Sequence, residues 1–154
     1  MRQAVAWGVL VLCLLPAPGQ SPISDGTGSA RKANPFRAVD LILETDRPLA
    51  AYQIELFDRN HAARIVGIEG NADLPFQNPP YYDPEAMAGD RVILGGFSTD
   101  PGDRLPAGRF RVATVMVQTS GGTPEWKLRL TAAATVGGRP MNANLYLDET
   151  GGRP

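Results

Sequence analysis

One cysteine and one histidine are all that the 154 residues offer for thiol or imidazole chemistry. Cys13 lies inside an apolar N-terminal run, which leaves the body of the chain without a disulfide, a thiol nucleophile or a thiolate metal site. A fold with no crosslinks must stand on its hydrophobic core. His61 sits in the turn-like stretch Asp58-Arg59-Asn60-His61, and no Gly-x-Ser-x-Gly step accompanies it, so it reads as an exposed turn histidine and not as the base of a Ser/His/Asp arrangement. A lone imidazole without cysteine partners also falls short of a zinc set. Charge of one sign is missing too. The net charge is -1, and thirteen of the fifteen basic residues are Arg scattered along the chain, which gives no field for nucleic acid or anionic lipid. Finally, no apolar run reaches the roughly twenty residues needed to span a bilayer as a helix.

What is abundant is turn chemistry. Seventeen Gly and fourteen Pro imply many reversals and few long helices. The N-terminus has the layout of a cleavable export signal: Arg2, then twelve apolar or small residues from Ala4 to Leu15, then Pro16-Ala17-Pro18-Gly19 with Ala17 and Gly19 at the small processing positions. Residues 1–19 are therefore expected to be a signal peptide. Residues 20–34 (QSPISDGTGSARKAN) are small, polar and aperiodic, as a flexible linker is, and the folded domain is expected over 35–150 with a short tail at 151–154. The expected location is secreted, periplasmic or at the cell surface, with no membrane insertion after signal cleavage.

The domain reads as a succession of short strands. Arg37 to Glu44 and Ala50 to Phe57 come first, around the turn Asp46-Arg47-Pro48; Tyr52, Ile54 and Leu56 alternate with Gln53 and Glu55, giving one apolar and one wet face. Ala63 to Glu69 forms a third. Four Pro within the nineteen residues from Ala72 to Asp90 preclude a regular element there, apart from a single helical turn at Pro84 to Ala88. Strands resume at Arg91 to Thr99 and, after a Gly/Pro segment, at Arg109 to Thr119. In the latter Phe110, Val112, Thr114 and Met116 alternate with Arg111, Ala113, Val115 and Val117; apolar residues on both sides mark a central strand. Glu125 to Val136 places Trp126, Leu128, Leu130 and Ala132 on the core side. Gly137-Gly138 is expected to close a hairpin onto Arg139 to Leu147. Strands at this spacing with no long amphipathic helix predict an all-β fold, a two-sheet antiparallel β-sandwich.

The run AVDLILETDRPLAAYQIELF, followed by RIVGIEG, RVILGGFST and RFRVATVMVQ, resembles the cohesin-like modules, a jelly-roll β-sandwich group related to the carbohydrate-binding modules of secreted polysaccharide-degrading systems. The resemblance covers Arg37 to Leu147. It implies a non-enzymatic interaction module that engages a protein partner or a cell-surface assembly, and it assigns no contact residues.

Candidate sites are few. Sixteen carboxylates include no pair that sequence can bring together for glycoside hydrolysis. Asp100 and Asp103 offer hard oxygen donors near Gly102, but without the Asp-x-Asp-x-Asp-Gly spacing of a calcium loop they read as a β-turn. No cofactor is implied. The loop holding Phe76, Tyr81, Tyr82 and Asp83 is the expected ligand-binding feature, because flat rings with polar rims grip sugars and proteins alike; the competing reading is that these rings cap the open end of the sandwich. Polysaccharide binding through loop 76–83 is accordingly the alternative to a protein partner, and it requires Tyr81 and Tyr82 to be exposed and coplanar.

Overall fold

The computed structural model describes residues 35–149, and the expected signal peptide, linker and tail lie outside them. Within the described residues there are eight strands: β1 (Phe36–Thr45), β2 (Ala51–Asp58), β3 (Ala63–Gly70), β4 (Tyr81–Tyr82), β5 (Arg91–Phe97), β6 (Gly108–Thr119), β7 (Trp126–Ala134) and β8 (Asn144–Asp148). They form two antiparallel four-stranded sheets, β3-β6-β1-β8 (sheet A) and β4-β5-β2-β7 (sheet B). The two-sheet antiparallel β-sandwich is thus present. Successive strands alternate between the sheets, and only β4 and β5 are neighbours both in sequence and in a sheet.

Period-two alternation explains which face each strand buries. Val39, Leu41 and Leu43 of β1 meet Tyr52, Ile54 and Leu56 of β2 in one core, joined by Ile65, Val92, Leu94, Val115 and Val117. Each such side chain contributes about 1.5–3 kcal/mol on burial, the main favourable contribution in a fold without crosslinks. The long strand β6 lies inside sheet A between β3 and β1, as its apolar middle implied.

Three register shifts alter the face assignments made from strict alternation. In the β1/β6 ladder Leu41 pairs with Ala113 but Ile42 pairs with Arg111, so Val112 is an extra residue. Phe110, opposite core-facing Leu43, therefore shares the inner side with Ala113, Val115 and Val117, not with Thr114 and Met116. In the β2/β7 ladder Ile54 pairs with Leu130 and Gln53 with Ala132, which makes Thr131 the extra residue, turns Ala132 outward and places Ala133 in the core. A third shift between Ile65 and Gly67 leaves Val66 exposed. A bulge adds one residue and reverses every later side chain, an effect that alternation alone does not register.

Two element assignments also change. The Pro-rich stretch does hold regular structure: the two residues of β4 pair with Gly95 and Leu94 at the sheet edge, and a 3-10 turn spans Pro84–Ala86. Prolines flanking a two-residue edge strand leave its ladder intact. The expected β7–β8 hairpin does not continue. Gly137 and Gly138 adopt φ of 82° and 75° and reverse the chain. Ala134 bridges Pro140, and the Met141 N–H donates to the Ala133 carbonyl at 2.9 Å, but the chain then crosses to sheet A. There β8 pairs with β1, setting Leu145 opposite Leu43 and Leu147 opposite Leu41. From that position Leu145 and Leu147 pack against the shared core, which favours the crossing.

Candidate functional site

The four residues expected to bind ligand separate into different roles. Tyr81 and Tyr82 are consecutive in β4, so they point to opposite sides of sheet B. Tyr82 packs against the core, and Phe76 meets Tyr52 edge-on, with ring centroids 5.2 Å apart and planes at 82°. Both rings thus lie partly buried against the core. Asp83 caps the 3-10 turn, its Oδ1 accepting from the Glu85 N–H at 2.9 Å. The loop is tied to the fold at Asn78, whose Oδ1 accepts from the Gly70 N–H at 3.1 Å. Tyr81 and Tyr82 consequently do not form a coplanar exposed pair.

Tyr81 finds its parallel ring elsewhere. It stacks on Phe97 with centroids 5.8 Å apart and an interplanar angle of 8°. Both are more than half exposed, at 54% and 55%. The pairing Tyr81↔Gly95 sets the geometry: Gly95 and Phe97 lie two apart on the outer side of β5, and a glycine beside Tyr81 leaves the sheet surface low there. Exposed Ile93 continues the same row. The strip borders a cleft of about 350 Å³ whose walls include Phe76, Gln77, Ser98 and Asp100. Phe97 was not singled out from sequence, although alternation in RVILGGFST already placed Ile93, Gly95 and Phe97 on one side of that strand.

Further along the same face lies a charge cluster. Glu55 projects outward from β2, yet it is only 5% exposed. Two arginines cover it. From β5, Arg91 donates through Nε to Oε1 at 2.6 Å and brings Nη2 to 2.5 Å. From β7, Arg129 brings Nη2 to within 2.5 Å of Oε2. The hydrogen bond from Arg91, opposed by burial and aided by Arg129, holds the Glu55 carboxyl below the usual carboxylate range. The cluster ties three strands of sheet B together across their outer side.

A second buried carboxylate organises the loops at one end. Asp58 accepts four backbone N–H groups: those of Ala62 (2.7 Å) and Ala63 (2.9 Å) at Oδ2, and those of Asn60 (3.0 Å) and Glu125 (2.7 Å) at Oδ1. Burial pushes its pKa up, but these four donors outweigh burial and bring it below the ordinary value. His61 is exposed, in a left-handed backbone conformation (φ 52°), with Nδ1 paired to Asp90 Oδ2, and that carboxylate raises its pKa. Asp100 sits in a local turn in which its N–H donates to Ser98 Oγ at 3.1 Å, and Asp103 lies in the 3-10 turn Gly102–Arg104. Trp126 is half-buried against the core. Among the described residues no three His, Cys, Asp or Glu side chains gather as a metal site, and no helix is long and apolar enough to cross a membrane.

No family model matches the chain, and no curated protein matches it. Among solved structures, its fold is similar to that in the Coh-OlpC-Doc435 complex, described as a type I cohesin–dockerin complex from Clostridium thermocellum. The identity is 12%, the TM-score 0.45, and the match covers 69% of this chain and 78% of that one.

Proposed function

We propose that the domain is a non-enzymatic interaction module of a secreted or cell-surface protein, engaging a protein partner across the outer face of sheet B. The observation that carries this reading is the row of exposed apolar side chains Tyr81, Phe97 and Ile93 on a sheet whose charged neighbours Glu55, Arg91 and Arg129 are locked to one another. Exposed aromatic residues gathered on one flat patch are characteristic of docking surfaces, where rigid rings contribute most of the affinity. The export-type N-terminus is what supports the location. Immobilised processed protein is expected to retain a defined protein from culture supernatant or envelope extract, and Tyr81→Ala with Phe97→Ala to lose it. Equal retention by both proteins would remove the face from consideration.

Carbohydrate binding is the second reading. What favours it is the parallel alignment of Tyr81 and Phe97 beside a cleft with Gln77, Ser98 and Asp100 in its wall, since a sugar presents C–H groups to rings and hydroxyls to polar side chains. Retention on insoluble polysaccharide that vanishes in Tyr81→Ala selects this reading over the first.

A further inference from the structure

We infer that the protein partner docks a basic side chain, Arg or Lys, against the Tyr81–Phe97 pair; this rests on the protein-partner reading above. The exposed faces of the two rings carry the negative side of the aromatic quadrupole, which attracts a cation. Carboxylates lie near both ends of the strip. Asp83, Glu85 and Asp90 line the cleft of about 330 Å³ that reaches Ile93. Asp100 lines the cleft on the Phe97 side. The cation among them, Arg91, is held sideways against Glu55, and Asp90 is shared with His61. Across the sheet, Arg129 is held by the same Glu55 and Lys127 is paired with Glu125. Of the carboxylates near the strip, Asp100 lines a cleft together with Tyr81 and Phe97 themselves. An acidic partner residue placed there would meet like charge, whereas a guanidinium can stack on a ring while its N–H groups reach a neighbouring carboxylate.

A random-peptide display library panned against the processed protein tests this. Peptides enriched on it are expected to carry an Arg or Lys next to an apolar residue. In titrations with synthetic copies, replacing that basic residue by Gln lowers affinity about tenfold or more. Tyr81→Ala or Phe97→Ala does the same, Tyr81→Phe retains binding, and Asp83→Asn with Asp100→Asn weakens it, as does high salt. Circular dichroism confirms that each variant is folded. Peptides that need Tyr81 and Phe97 but show no basic residue overturn the inference and leave the protein-partner reading standing. Basic peptides that bind Tyr81→Ala as tightly as the wild type overturn the location. Absence of enrichment overturns the inference, and if insoluble polysaccharide retains the protein through the same rings, the protein-partner reading falls with it.

Discussion

A Cβ added at Gly96 would sit 2.5 Å from Cε1 of Tyr52 and 2.9 Å from its hydroxyl. Tyr52 is buried, its ring lying against Gly96 and meeting Phe76 edge-on. Gly96→Ala is expected to lose about 1–3 kcal/mol through overpacking. Gly95→Ala, one residue away on the outer side, meets only the Tyr52 carbonyl at 3.6 Å and should stay within about 0.5 kcal/mol of wild type. Urea unfolding of the two variants checks the contrast; equal losses would mean that Tyr52 can shift.

The Tyr52 hydroxyl has no hydrogen-bond partner among the described residues, and burial pushes its pKa up. Removing an unsatisfied buried hydroxyl while keeping the ring avoids its desolvation cost. Tyr52→Phe is expected to keep or raise the melting temperature. A clear fall, measured by calorimetry, would show that the hydroxyl is bonded in solution.

Asp58 holds the β2–β3 turn and the start of β7 through four charge-assisted hydrogen bonds. An amide of the same shape turns one acceptor into a donor facing N–H groups. Asp58→Asn should therefore lose about 2–4 kcal/mol. Hydrogen exchange should speed up first at the Ala62, Ala63 and Glu125 amides.

The stability of the domain should fall in acid, and the signs follow from the two lowered carboxyls. Asp58 and Glu55 titrate below their unfolded values, so their contribution is complete above the ordinary carboxylate range of about 4 and is lost as pH falls through the folded values. His61 acts in the opposite sense. Its raised pKa gives stability that is present below about 6.5 and lost as pH rises through the folded value, a small effect at an exposed side chain. Denaturant midpoints measured against pH should show the acid limb flattened in Asp58→Asn, and the shallow slope near neutrality removed in His61→Gln.

Strand positions were legible because alternation is a property of consecutive residues: β2 and β5 begin within a residue of their expected starts, and Tyr52, Ile54 and Leu56 face inward as read. The wet face read for Glu55 was right in direction but not in exposure, since the arginines that cover it come from strands some 36 and 74 residues away. Likewise Tyr81 of the aromatic loop is exposed, but its partner ring belongs to β5.

What the sequence by itself determined is the all-β character, the strand positions and most of the inward faces, because turn residues and period-two hydrophobicity act over a few bonds. Tertiary structure alone decided which sheet receives each strand, where the bulges fall, why β8 leaves β7 for β1, and which rings share a surface. Those outcomes depend on pairings between segments distant in the chain, where the burial available at each competing edge sets the choice.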